Sequence, residues 1–166
     1  NGHDSQGVTF DRKELLANWD TLKQRQQLTQ NNIHQQWHEP LNAFLSQDVW
    51  TGEFSEVLTT CTLLARWVEF GDDEQKEKMH TLLQQWLSLK PYSLSSTHPH
   101  AKEFEPQRYW RGPIWVHINW LIAMGAQANG FTEVAESIKS SSLALIKDND
   151  YYEYFNCDNG LGCGGG

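Results

Sequence analysis

The feature that most constrains this chain is a set of apolar residues recurring at helical spacing, in stretches separated by short polar breaks. Leu63, Leu64, Trp67 and Val68 form one such face, which ends at Gly71. Asp72 or Asp73 then caps a second helix with Met79, Leu82, Leu83, Trp86 and Leu87 on one side. Ile118, Leu121, Ile122 and Ala126 define a third that ends near Gly130, and Thr132 is placed to cap a fourth carrying Ala135, Ile138, Leu145 and Ile146. Upstream, Asp11 and Glu14 have capping-box spacing, Leu15, Trp19, Leu22, Ile33 and Trp37 fall near one face, and Pro40 closes the stretch. Its glutamine-rich middle allows a break. Between Ala43 and Ser55 apolar and polar residues roughly alternate around Thr51-Gly52, which predicts a short β-hairpin inserted between helices.

The expectation is an all-α chain of five helices, one without a hairpin partner, so that it makes an incomplete layer of something larger. The hairpins share no signature, which counts against a short-period repeat or an α-solenoid interaction module.

A formal charge of −8 with no basic stretch makes nucleic acid and anionic membranes poor partners. The runs from Val57 to Val68 and from Ile114 to Ala126 carry Arg66, His117 and Asn119, and fall short of the roughly 20 apolar residues that span a bilayer. The three cysteines, Cys61, Cys157 and Cys163, lack metal-like spacing and favour a reducing, cytoplasmic setting, with Cys61 read as a small core residue. The histidines also lack metal-ligand spacing, so neither a metal nor a cofactor is expected. Eight tryptophans are compatible with a large core or with an aromatic-lined sugar pocket.

Two segments could carry chemistry. The first follows a long proline-, serine- and histidine-rich loop from Lys90 to Gln107 and runs Arg108-Tyr109-Trp110-Arg111-Gly112-Pro113-Ile114-Trp115, then His117, Asn119 and Trp120. Gly112-Pro113 allows a tight turn with Pro113 in the first helical turn, presenting Tyr109, Trp110 and Arg111 at a helix N-terminus. Trp120 is expected to be core packing. For Arg111 and Trp115 a functional role is favoured over packing, since an arginine beside aromatics can fork onto hydroxyls or a carboxylate. The second segment is Tyr151-Tyr152-Glu153-Tyr154-Phe155-Asn156, followed by Asp158, Gly160, Gly162 and Gly164. Rings around Glu153 would desolvate its carboxyl and favour the neutral form. On the residues alone, an acidic loop with inward-turned tyrosines is the simpler account.

In this order, separated by a helical hairpin, the two segments resemble the barrel of glycoside hydrolase family sixty-three, in particular its mannosylglycerate and glucosylglycerate hydrolase-like branch. The Tyr-Trp-Arg-Gly-Pro-Ile-Trp stretch with Asn119-Trp120 carries the resemblance most specifically, then Glu153-Tyr154-Phe155-Asn156 with its trailing glycines. Weaker agreement runs through Phe10-Asp11, Thr51-Gly52-Glu53, Thr59-Thr60, Phe104, Pro106 and Arg108. The resemblance implies an (α/α) barrel of six hairpins, of which residues 1–166 form a single partial domain whose remainder lies upstream. Residues 151–166 are then an active-site loop and a glycine-rich end cut short. It implies inverting hydrolysis of an α-glucosidic or α-mannosidic bond in a small carbohydrate substrate, with Glu153 as general base. Tyr109, Trp110, Arg111, Gly112, Trp115, Asn119 and Tyr154 take substrate-binding roles. The general acid, an aspartate in tryptophan-rich surroundings, has no counterpart here, so the fragment alone is expected to be inactive. Sugar epimerases and phosphorolytic enzymes use the same barrel, with His117 the residue an epimerase could employ.

Overall fold

The computed structural model describes residues 12–65 and 71–164. The expected cap at Asp11 and Glu14, the Phe10-Asp11 match, the Trp67 and Val68 part of a helix face, and the last two glycines lie outside what it describes. Among the described residues there are five α-helices and two small antiparallel sheets.

The chain divides into two compact units, residues 1–35 and 36–166. The first holds α1 (Arg12–His34), which runs through the glutamine-rich stretch without a break and ends six residues before Pro40. Glutamine is a good helix former, and local bonds such as Thr29 Oγ1 donating to the Arg25 carbonyl (2.9 Å) tie successive turns.

The second unit opens with β1 (Trp37–His38) and β2 (Ala43–Phe44), paired Trp37 to Phe44 and His38 to Ala43 around a 3-10 turn at Glu39–Leu41. The paired hairpin thus lies upstream of the one expected around Thr51-Gly52. The expected turn at Thr51-Gly52 forms as well, but shorter: Gln47 bridges Phe54, the Asp48 amide donates to the Glu53 carbonyl (2.8 Å) and the Ser55 amide to the Ser46 carbonyl (2.8 Å), and Asp48 Oδ1 accepts the Trp50 and Thr51 amides. Next come α2 (Thr60–Leu64) and α3 (Asp73–Ser88). Asp72 caps α3 through a full capping box with Gln75, as the spacing predicts. Cys61 departs from expectation: α2 buries Thr60, Thr62 and Leu63, which leaves Cys61 exposed.

After the long loop, a 3-10 turn at Tyr109–Arg111 leads into α4 (Val116–Ala128), which packs on α5 (Thr132–Asn149) as a helical hairpin. Pro113 precedes α4 by three residues instead of lying in its first turn, and the residue at the α5 N-cap is Phe131, without a side-chain cap, so Thr132 is already helical. Trp120, expected in the core, is on the outer side of α4 and 42% exposed. The chain ends in β3 (Tyr154–Phe155) and β4 (Gly162–Cys163), paired Tyr154 to Cys163 and Phe155 to Gly162.

The long loop is not a solvated excursion. Ser93, Leu94, Ser95, Ser96 and Thr97 are all buried, and their polar groups are satisfied internally. Trp86 Nε1 donates to Ser95 Oγ (3.1 Å), which donates to the Thr97 carbonyl (2.7 Å). Asn119 on α4 binds the loop hardest. Its Oδ1 accepts from Ser93 Oγ (2.8 Å) and the Leu94 amide (3.0 Å), while Nδ2 donates to the carbonyls of Leu94 (3.0 Å) and Trp115 (3.1 Å). Replacing Asn119 with leucine therefore strands several buried polar groups. In the full-length protein a loss of about 2–3 kcal/mol in unfolding free energy is expected from denaturant titration, and an unchanged midpoint would remove this role from the amide.

Candidate active site

Short backbone pairings carry the fold across from α2 to the tail. Thr59 bridges Thr97, and the Thr60 amide donates to the Ser96 carbonyl (3.0 Å). The Ser96 amide donates to the Pro113 carbonyl (2.9 Å). Ile114 then bridges Phe155 through two reciprocal bonds, Ile114 N–H to Phe155 O (2.7 Å) and Phe155 N–H to Ile114 O (2.9 Å). Beneath this last bridge Ile114, Leu145, Phe155 and Cys157 form a buried cluster, with Tyr92, Phe104, Val116 and Ile146 packed against it. The two segments singled out in the sequence are therefore adjacent in space.

Their rings meet above the bridge. Trp110 lies flat on Trp115, with centroids 4.0 Å apart and planes 4° from parallel. Tyr109 stands edge-on to Trp115 (5.0 Å) and to Tyr154 (5.8 Å), while Tyr154 leans on Trp115 at 5.0 Å. His117 packs edge-on against both Trp115 and Trp110. Trp115 is only 5% exposed because Trp110 covers it, and its Nε1 donates to the Tyr109 carbonyl (3.1 Å). Trp115 is the floor of the platform, and the surfaces offered to a ligand belong to Trp110 and Tyr109, 41% and 51% exposed. Tyr109 holds a positive φ of 41°, an unfavourable backbone conformation for a tyrosine, fixed here by the bonds on either side of it.

Arg111 is braced from behind. Its Nε donates to the Glu103 carbonyl (3.0 Å) and its Nη2 lies 3.1 Å from Glu105 Oε1, which also pairs with Arg108. Gly112 is buried with its amide on Ser96 Oγ (3.0 Å), and a Cβ there would overlap the Glu105 carbonyl and crowd the Pro106 Cα. Asn119, counted among the sugar-facing residues, is fully buried with its amide committed to the loop as described above. Its place in this chain is behind the platform.

Glu153, just before Tyr154 in the chain, is exposed, so the enclosure expected from its neighbouring tyrosines is not supplied by the described residues. Behind it the tail glycines act as seats. A Cβ on Gly164 would lie 2.9 Å from Glu153 Oε2 and 2.6 Å from the Tyr154 ring, one on Gly162 would enter the Tyr152 ring, and one on Gly160 would lie 2.7 Å from the Tyr92 ring. The glycine-rich end is folded backing through Gly164, in contrast to a flexible linker. Cys157, buried beneath it beside Asp158, has its thiol pushed up to about 11, chiefly by desolvation.

A cavity of ≈ 560 Å³ also reaches Glu153, between α4, α5 and the tail. Its walls include Trp120, Leu121, Leu143 and Ile146, with His117, Ser142, Tyr151 and Tyr152 as the polar-tipped side chains besides Glu153. An apolar cleft of this kind offers few partners for sugar hydroxyls, and Tyr109, Trp110, Arg111, Trp115 and Tyr154 are not among its lining. The exposed faces of Trp110 and Tyr109 are flat aromatic surfaces of the kind that can stack on the C–H face of a sugar. No group of three or more metal-ligating side chains occurs among the described residues, and none of the helices there is long and apolar enough to cross a membrane.

Fold and sequence together define a glycoside hydrolase domain: the chain belongs to the mannosylglycerate hydrolase MGH1-like glycoside hydrolase domain family, whose model matches residues 13–166. It is 32% identical over 120 residues to the mannosylglycerate hydrolase MGH1 of Selaginella moellendorffii, a match covering 72% of this chain and 25% of that protein. Among solved structures, it superposes on the GH63 mannosylglycerate hydrolase of Thermus thermophilus in complex with glucose, with a TM-score of 0.79 and 29% identity. That match covers 82% of this chain and 34% of the other. The same enzyme in complex with Tris and D-glycerate matches equally well, at a TM-score of 0.79. The chain thus spans about a quarter to a third of the length of these relatives.

Gly112 offers a sharp test of the platform. The atoms its Cβ would meet are backbone, which cannot rotate away, so Gly112→Ala should destabilise the full-length protein by about 1–3 kcal/mol and raise KM. Unchanged stability together with unchanged KM would show that the loop and the platform are not held in this contact.

Proposed function

We propose that this chain supplies the base-bearing half of the active site of an inverting glycosidase that cleaves a small α-mannoside or α-glucoside of the glyceryl type. The observation that carries the proposal is the Ile114–Phe155 bridge, which joins the segment bearing Glu153 to the segment bearing Tyr109, Trp110 and Trp115, with Tyr154, the chain neighbour of Glu153, packed against Tyr109 and Trp115. Ring faces complement the C–H faces of a pyranose, and a carboxylate at their edge can act on a water beside the sugar. The names of the family and of the relatives, and the glucose and D-glycerate seen in the Thermus enzyme, favour this substrate class.

In the proposed reaction Glu153 takes a proton from a water molecule. The water oxygen attacks the anomeric carbon from the face opposite the leaving group. The bond to the glycosidic oxygen breaks with its electron pair on that oxygen, which takes a proton from a carboxylic acid elsewhere in the protein. Inversion needs the two carboxyl groups roughly 6.5–9.5 Å apart, so that the water fits between base and sugar. We assign the acid and the remaining hairpins of a six-hairpin (α/α) barrel to the rest of the full-length protein, since this chain spans only a quarter to a third of its relatives' length. Enclosure of Glu153, which this chain leaves exposed, is assigned to those same parts.

The decisive variant is Glu153→Gln in the full-length protein. Loss of a general base should lower kcat by about 10²–10⁴-fold and leave KM near its original value. Turnover within a few-fold of the parent enzyme would contradict the assignment.

A further inference from the structure

We infer that Lys90 is a positioning residue for Glu153, acting through the tip of the tail hairpin; the inference rests on the reading of Glu153 as the base. Lys90 lies in neither of the two sequence segments that carry the site, and it follows closely on α3. Its Nζ is 2.5 Å from Asp158 Oδ1 and 4.9 Å from the centroid of the Phe104 ring. The lysine side chain is 19% exposed and that of Asp158 48%, so the ammonium is held between a half-exposed carboxylate and an aromatic face. The Phe104 face adds a second contact to the ion pair, so the lysine is held from two sides.

Asp158 sits in the turn between β3 and β4, and the turn is stiff. Asn156 is buried, its Oδ1 accepts the Asp158 amide (2.8 Å), its carbonyl accepts the Gly160 amide (2.9 Å), and its own amide donates to the Leu161 carbonyl (2.9 Å). A pull on the Asp158 carboxylate is therefore transmitted to the whole hairpin. A second tether enters from the same loop: Tyr92 donates its hydroxyl to the Asn159 carbonyl (3.0 Å), and its ring seats on Gly160.

The arrangement is a lever. The hairpin is paired to the rest of the fold at Phe155, through Ile114, and is tethered at its tip by Lys90 and Tyr92. Glu153 lies just before β3, two residues from the Phe155 pivot on the other side, at most about 7 Å along the chain at roughly 3.3–3.6 Å per residue. With the tip held, the hairpin cannot turn about the pivot. With the Lys90 tether lost, Tyr92 alone holds the tip, and a swing there moves Glu153 the opposite way. A misplacement on the order of 1 Å costs about a hundredfold in a reaction that depends on alignment.

The test uses the full-length protein, assayed on whichever of mannosylglycerate and glucosylglycerate it hydrolyses faster, with Glu153→Gln carried alongside. Lys90→Met and Asp158→Asn should each lower kcat about 10–100-fold while KM changes less than about threefold. The double variant should lose no more than either single one, and Lys90→Arg should recover most of the activity. Cys157, buried beside Phe155 where the turn begins, should become more accessible to alkylation in the two single variants and stay protected in the parent and in Lys90→Arg. A kcat within twofold of the parent in Lys90→Met, or additive losses that arginine does not repair, would overturn the inference. If Glu153→Gln keeps full activity, the base assignment itself fails. If Glu153→Gln is inactive while Lys90→Met is fully active, only the lever fails.

Discussion

Everything in the proposed site depends on two hydrogen bonds between Ile114 and Phe155. Without them the segment carrying Glu153 and the segment carrying Tyr109, Trp110 and Trp115 are separated by the whole α4–α5 hairpin. The bridge is sheltered because both of its side chains are buried in one cluster with Leu145 and Cys157. Water cannot compete for those amides and carbonyls, so the pairing is held by burial as much as by its own bond energy. The helical hairpin contributes Leu145 to that cluster and Asn119 to the loop behind it, which is how a scaffold of helices comes to fix a site made of loops.

Small residues make the close approaches possible on both sides of the bridge. Gly112 lets the platform segment lie against the Glu105 backbone, and Gly162 and Gly164 let the tail lie under Tyr152, Tyr154 and Glu153. Arg111, Glu105 and the Glu103 carbonyl brace the platform from behind, while Lys90 and Tyr92 hold the far end of the tail. The rings are therefore presented by backbone contacts and by side chains that need not touch a ligand themselves.

Much of this was legible in the sequence, for physical reasons that differ from element to element. The faces of α3 and α5 follow the helical period, and the Asp72 capping box has a fixed spacing, so both show in a single chain, whereas on α4 Leu121 is exposed and Asn119 and Ala123 are buried beside Ile122 and Ala126. The two chemical segments stand out because aromatic, glycine and charged residues are packed together in them. The buried serine stretch from Ser93 to Ser96 was not legible, because serines between prolines normally mark a solvated loop, and only long-range bonds to Asn119, Trp86 and Gly112 reverse that. The same holds for Asn119 and Trp120: which faces the interior depends on where the long loop lies, and that is a tertiary fact. The Lys90–Asp158 pair spans 68 residues and leaves no local pattern at all.

The central claim is that Glu153 acts at the edge of the Tyr109–Trp110 platform. A crystal structure of the full-length Glu153→Gln variant with an unhydrolysed glycerate glycoside tests it most directly. The expected result is a sugar ring against the faces of Tyr109 and Trp110, with a water held by the residue at position 153 about 3–3.5 Å from the anomeric carbon, on the side opposite the aglycone. A sugar bound instead in the apolar cleft between Trp120 and Leu143, or a side chain at 153 turned away from the anomeric carbon, would contradict it.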